Sequence, residues 1–95
     1  MIYTIEQIKD KCWKVFDKQN FIKEAYLFGS YARGEATEKS DIDFMIVLNR
    51  TVGLEFFGLY HFLQEGFGKK VDVISEKEAY GIMPKSIERD KVRVY

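Results

Sequence analysis

The segment Asp41-Ile-Asp-Phe-Met-Ile-Val-Leu48 constrains the fold more than any other part of this 95-residue chain. Its last five residues are continuously apolar, as expected of a strand that is covered on both faces. It therefore predicts a β-strand over 41–48 in the interior of an α/β protein. The two aspartates at its start are unusual, because Asp is depleted in strands.

Helical and strand patterns alternate along the rest of the chain. A capping-box pattern at Thr4 and Gln7 precedes apolar residues at helical spacing, which predicts a first helix to about Lys18. The other predicted elements are a strand at 24–28, a helical turn within 30–34, a polar loop at 35–40, a helix at 53–67, a strand at 70–75, a helix from Pro84 to about Val92 and an edge strand at 92–95. We therefore expect an α/β fold, with a small mixed β-sheet packed on helices and one face partly open.

Size and charge limit the classes of function. Ninety-five residues make one domain, 1–95. Fifteen basic and fifteen acidic residues cancel, so we expect no stable binding to nucleic acid. The single cysteine excludes an internal disulfide, and no apolar run reaches membrane length. These features, with no signal-peptide pattern at the N-terminus, favour a cytoplasmic protein without membrane association.

Aromatic residues make up 16% of the chain, which is more than so small a core can hide. Either some of them lie on a surface that a partner covers, or they form a Phe-rich core with Tyr hydroxyls in water. The predicted helix at 53–67 has apolar residues on two faces, so it can pack on the sheet and also contact a partner.

Gly29 and Ser30 directly follow the predicted strand at 24–28. Glycine permits close backbone approach, and N–H groups at the start of a helical turn can hold phosphate. A strand ending in Gly-Ser is also commonly an ordinary turn, so the pair alone does not establish a phosphate site.

Asp41 and Asp43 project from the same face of a strand, roughly 6.5 Å apart. Two carboxylates beside an apolar run repel each other unless a cation lies between them, and Mg²⁺ binds one or two carboxylates plus substrate phosphates. The alternative is that both acids lie in a solvated loop before the strand.

Asp72 alternates with Val71 and Val73 in the predicted strand at 70–75. If this strand neighbours the 41–48 strand, the carboxylate of Asp72 lies about 4.8–5.5 Å from its neighbour across the sheet. The three acids would then suit a two-metal site, with Asp72 also able to act as a general base. Taken alone, Asp72 is equally an exposed residue on an alternating strand.

The spacing G-S-x10-D-x-D joins these features and should arise by chance in on the order of one in a thousand chains this short. The segment from Leu27 to Phe44 resembles the signature of the DNA polymerase β nucleotidyltransferase superfamily, and it is most similar to the minimal nucleotidyltransferase branch. The resemblance implies the polymerase β palm-like fold and extends over nearly the whole chain from Tyr26.

The resemblance also implies roles for individual residues. Gly29 and Ser30 would bind the triphosphate of ATP, while Asp41, Asp43 and Asp72 would be catalytic and bind Mg²⁺. Many relatives carry Arg after the Ser, whereas this chain has Tyr31. Arg33, on the same turn, can supply the positive charge instead, or it can be an ordinary exposed arginine.

Minimal members of this family are typically encoded beside a HEPN-type toxin, and some attach AMP to a Tyr of that toxin. The resemblance therefore implies an antitoxin that adenylylates its partner within a homo- or hetero-oligomer. Two alternatives remain open: a module that neutralises its partner by docking alone, and a nucleotidyltransferase acting on a small molecule. The latter usually carries a further helical domain that this sequence does not contain.

Overall fold

A computed structural model describes residues 2–95 of the chain. Five helices and four strands occur in this range. The helices are α1 (Ile5–Phe16), α2 (Gly29–Arg33), α3 (Glu55–Phe67), α4 (Glu76–Ile82) and α5 (Pro84–Asp90), and the strands are β1 (Ile22–Phe28), β2 (Ile42–Leu48), β3 (Val71–Ser75) and β4 (Val92–Arg93).

The four strands form one mixed sheet in the order β3-β2-β1-β4. β1 pairs antiparallel with both β2 and β4, whereas β2 and β3 are parallel. Parallel neighbours need a crossover connection, and α3 supplies it. The predicted small mixed sheet packed on helices is confirmed.

The first helix begins at the predicted cap. The Thr4 side chain accepts a hydrogen bond from the Gln7 backbone N–H (3.1 Å), and the Gln7 side chain accepts one from the Thr4 N–H (2.9 Å). α1 ends at Phe16, about two residues before the predicted end. Its fully buried residues, Ile8, Cys12 and Phe16, all face the sheet core.

Helices cover the two faces of the sheet unequally. The larger core lies under α1 and α3, where alternate residues of the central strands, such as Leu27 and Phe44, are fully buried. The opposite face carries a smaller cluster made by Phe28, Met45, Ala79 and Ile87, under α4 and α5. Continuous apolarity in the second half of β2 thus reflects cover on both faces, as the sequence predicts.

Helix α4 has no counterpart among the predicted elements, and the other differences lie at the ends of elements. β1 begins at Ile22, where it pairs with Leu48 across an irregular register, rather than at residue 24. α5 ends at Asp90, and β4 pairs Val92 with Leu27, so the chain turns extended before the predicted end of the helix. Among residues 2–95, no helix has the length and apolarity needed to cross a membrane.

Candidate active site

Three neighbouring strands bring the predicted site residues to one edge of the sheet. Phe28, the last residue of β1, is paired with Asp43, and Asp43 is paired with Asp72 on the other side. Gly29 follows Phe28 directly. The structure therefore juxtaposes the Gly-Ser turn, the D-x-D motif and the third acid.

Gly29 has a φ of +74°, which non-glycine residues rarely adopt. A Cβ atom added there would overlap Oδ2 of Asp43 and lie 3.3 Å from its Cγ. Backbone at this turn thus approaches the carboxylate more closely than a side chain would permit. Ser30, the next residue, lies half-buried in the first turn of α2, where N–H groups lack partners within the helix.

Asp43 is the most electrostatically perturbed acid of the site. The pKa of its carboxyl is raised from 3.8 to about 6, first by burial and then by the negative charge of Asp72, a side-chain hydrogen bond with Asp72 and the charge of Asp41. Arg33 alone opposes the shift. A cation placed between Asp43 and Asp72 would relieve this repulsion, so the pair has the charge balance of an acidic ligand site.

Asp41 lies one residue before β2 and is more loosely placed. Its Oδ2 is 3.6 Å from the ammonium of Lys70, and both side chains are substantially exposed. Within the described part of the chain, no three His, Cys, Asp or Glu side chains form a group able to hold a metal ion by themselves. The Asp43–Asp72 pair fits Mg²⁺ instead in the way typical of phosphate substrates, with one or two carboxylates and the remaining ligands from phosphate and water.

Arg33, at the end of α2, is held by two carboxylates. Its Nε donates to Glu35 (3.1 Å) and its Nη1 to Asp90 (3.3 Å). Because it also lowers the pKa of Asp43, its positive charge acts on the acidic pair. Arg33 thus stays a candidate for the positive charge of the site, as the sequence predicts.

Tyr31 does not point into solvent from the turn. It is 3% exposed and belongs to the main core, and its hydroxyl accepts a hydrogen bond from Lys69 Nζ at 2.8 Å. The Lys69 ammonium also lies 5.0 Å from the centre of the Tyr31 ring. Position 31 therefore anchors α2 to the loop before β3.

A cavity of about 560 Å³ lies at the opposite end of β2 and β3, lined by residues that include Leu48, Arg50 and Ser75. It contains none of the site acids, and Arg50 is already paired with Glu55 at 2.8 Å. The candidate active site is therefore the Asp43 edge, where the charged residues of the signature converge.

Sequence reasoning assigned no role at the site to three charged residues around this edge: Lys69, Lys70 and Asp90. None of them belongs to a local motif, and two reach their partners across 38 and 57 positions. Only the sheet register and the packing of α5 against α2 bring these three side chains close to the candidate site. The position of Lys70, two residues before Asp72 at the start of the predicted strand, was the one available signal.

Comparison with known proteins decides the family. The model of the nucleotidyltransferase domain family matches residues 8–94. The chain belongs to the nucleotidyltransferase family. The family resemblance drawn from the G-S-x10-D-x-D segment is thus confirmed, and this nucleotidyltransferase is an enzyme of the transferase class.

Relatives of this nucleotidyltransferase share its length and fold. A Methanocaldococcus jannaschii protein, named for an inferred protein adenylyltransferase activity, is 39% identical over 98 residues, covering 96% of this chain and 98% of its own. A solved structure described as a minimal nucleotidyltransferase is 25% identical with a TM-score of 0.78, covering 95% of each chain.

A further structural neighbour is a chain from the complex of a tri-AMPylated Shewanella oneidensis HEPN toxin with its MNT antitoxin. It is 19% identical with a TM-score of 0.73, covering 97% of this nucleotidyltransferase and 72% of that chain. At this identity the likeness shows the fold alone.

Proposed function

We propose that this nucleotidyltransferase moves AMP from ATP to a hydroxyl of a partner protein and thereby acts as an antitoxin, the acceptor being a Tyr of a HEPN-type toxin. The observation that carries the proposal is the pairing of Asp43 with Asp72 beside the backbone of Gly29. The names of the relatives, a protein adenylyltransferase and an AMPylated toxin with its antitoxin, support the choice of nucleotide and acceptor.

In the proposed reaction, the acceptor oxygen attacks the α-phosphorus of ATP. A bond forms between that oxygen and phosphorus, the bond from phosphorus to the β-phosphate oxygen breaks, and pyrophosphate leaves. The hydroxyl proton passes to the carboxylate of Asp72 and then to water. The products are an AMP ester, pyrophosphate and one proton, so atoms and charge balance.

The residues of the site divide the remaining tasks of this mechanism among them. Gly29 and Ser30 hold the leaving phosphates with backbone N–H groups and the Ser hydroxyl, and Arg33 adds positive charge. Asp43 and Asp72 are the residues that would hold Mg²⁺. The Asp41 side chain would join them after leaving its ion pair with Lys70. Mg²⁺ held there would neutralise negative charge on the phosphate oxygens and make the acceptor hydroxyl more acidic.

The test is transfer of labelled AMP to the co-purified neighbouring protein, followed by intact mass spectrometry. The wild-type chain should add one AMP mass per modified site only when ATP and Mg²⁺ are both present. Replacing Asp41 and Asp43 by Asn should abolish this gain while circular dichroism stays unchanged. Full transfer by the double variant would refute the proposed roles of these acids.

Neutralisation by docking alone is the second candidate, and the outer face of α3 favours it. Leu54, the N-cap residue of α3, and Phe57, in its first turn, are 83% and 72% exposed, and neighbouring exposed apolar side chains can mark a surface that a partner covers. Titration separates the two candidates. Inhibition at one-to-one stoichiometry without ATP indicates docking, whereas substoichiometric inhibition that requires ATP indicates catalysis.

A further inference from the structure

Asp90, at the end of α5, is linked to the site through a single side chain. Its Oδ2 accepts from Nη1 of Arg33 (3.3 Å), and its Oδ1 accepts from Nε of Arg89 (2.9 Å). The Asp90 side chain is 8% exposed, whereas that of Glu35, the other carboxylate on Arg33, is 66% exposed. Ion pairs shielded from water are screened less by salt, so the Asp90 contact is the better-protected restraint on Arg33.

The hydrogen bonds of Arg33 define how its guanidinium is presented. A guanidinium carries five N–H donors in a fixed plane. Two of them are used, Nε–H toward Glu35 and one Nη1–H toward Asp90. Fixing two edges of the plane leaves three donors free, and planar, fixed donors suit the oxygens of a phosphate.

Restraint of Arg33 matters because α2 is only five residues long. So short a helix does not hold a long side chain in place by itself, and Arg33 is its last residue before Gly34. Asp90 belongs to a different helix, and Ile87 anchors that helix in the core under the opposite face of the sheet. The contact therefore ties the long Arg33 side chain to α5, a helix that is packed on the sheet.

Both arginines keep Asp90 charged. Hydrogen bonding from Arg89, and then from Arg33, lowers the pKa of the Asp90 carboxyl. It is thus an ionised acceptor throughout the neutral range, and no change of protonation interrupts the contact.

We propose that Asp90 is a positioning residue, which holds the Arg33 guanidinium in the orientation that binds the triphosphate of the nucleotide. This inference rests on the proposed function and adds a residue outside the family signature. Asp90 itself touches neither phosphate nor metal in this scheme. Its effect on the nucleotide passes entirely through Arg33.

The test is a thermodynamic cycle on nucleotide affinity, measured by isothermal titration calorimetry with a non-hydrolysable ATP analogue and Mg²⁺ on the full chain. Asp90→Asn and Arg33→Gln should each weaken binding about 3- to 10-fold, the size expected when one charged contact to phosphate is lost. The double variant should be no weaker than Arg33→Gln alone, because coupled residues are non-additive. Glu88→Gln, an acid-to-amide change on the same helix, should bind as the wild type does.

Outcomes separate this proposal from the function on which it rests. Three results would overturn the positioning role while leaving the proposed function intact. Asp90→Asn could bind nucleotide with wild-type affinity, or the losses in the double variant could be additive. Glu35→Gln could also weaken binding more than Asp90→Asn does. A wild-type chain that binds no nucleotide would overturn both. Melting temperatures recorded on the same samples identify any variant whose loss of affinity comes from unfolding. Arg33→Lys keeps the positive charge but lacks the planar guanidinium. It should bind nucleotide more weakly than the wild type at an unchanged melting temperature.

Discussion

Replacing Gly29 by Ala tests the close approach between backbone and carboxylate, and the chain supplies its own control. Gly29 and Gly34 flank α2, and both have a φ of +74°. A Cβ at Gly34 would meet nothing within 4 Å, whereas one at Gly29 would overlap Oδ2 of Asp43. Both substitutions therefore place Ala at the same positive φ, and the Gly29 substitution adds the clash.

The shared strain fixes the expected loss of stability. Placing Ala in the left-handed region costs about 1–2 kcal/mol, and the lower entropy of the unfolded chain returns about 0.4–1 kcal/mol. Each variant should thus lose about 1 kcal/mol, or roughly 4–8 °C in melting temperature for a domain of this size. The clash adds little to this, because the carboxylate is the end of a side chain and can rotate away.

The rates of AMP transfer should differ far more than the stabilities. If the Asp43 carboxylate rotates so that its oxygens move by on the order of 1 Å, the rate of transfer should fall about 100-fold. We expect Gly34→Ala to keep transfer within about twofold of wild type and Gly29→Ala to lose about 100-fold, both measured below their melting transitions. Equal activity in the two variants would refute the inference that close packing of Gly29 against Asp43 sets the geometry.

Three further predictions concern single residues. In EDTA, the free energy of unfolding of the wild type should fall as pH rises from about 4 to 6. The pKa of Asp43 is raised in the folded state, so the folded chain holds its proton more tightly than the unfolded chain does, and this stabilisation is lost as pH rises through the folded pKa. The shift alone sets an upper limit of about 3 kcal/mol, and solvent screening of this half-buried carboxyl lowers the expected loss to about 1 kcal/mol. Asp43→Asn should abolish that pH dependence in urea titrations at a series of pH values, and an unchanged slope would count against the pairing with Asp72. Thr4→Ala should cost about 1 kcal/mol by loss of the capping box, seen as a lower urea midpoint, whereas a midpoint equal to wild type would mean the cap contributes nothing. Cys12 is fully buried and burial raises the pKa of its thiol, so alkylation should proceed only at the rate of unfolding; rapid labelling of the native chain would contradict this packing.

Local patterns in the sequence were sufficient for the elements that carry the signature. The capping box at Thr4, the single turn after Gly29 and the strand after Asp41 each depend on neighbouring residues, so their chemistry can be read directly. Their ends were less exact, because pairing with a distant strand decides where a strand begins. Ile22 joins β1 only because Leu48 is opposite to it.

The electrostatic surroundings of the site were beyond local patterns. Arg33 was a candidate for positive charge, but nothing near it in sequence indicates that Asp90 binds it from 57 positions away. Tyr31 is similar: its burial and its hydrogen bond with Lys69 depend on how the loop before β3 packs against α2. The family signature therefore identifies the candidate reacting groups, whereas tertiary packing determines which residues hold them in place.

Asp72 shows how far strand register governs whether a site exists at all. Side chains alternate across a sheet with a period of two, so a slip of one residue in β3 would turn Asp72 toward the main core and Val71 out of it. Val71 is fully buried against that core, and exchanging it for a carboxylate would cost several kcal/mol. Apolar packing beneath the sheet thus fixes the register that places Asp72 beside Asp43 above it. The same constraint leaves two carboxylates repelling each other on the other face, a cost that only a cation or a proton can relieve.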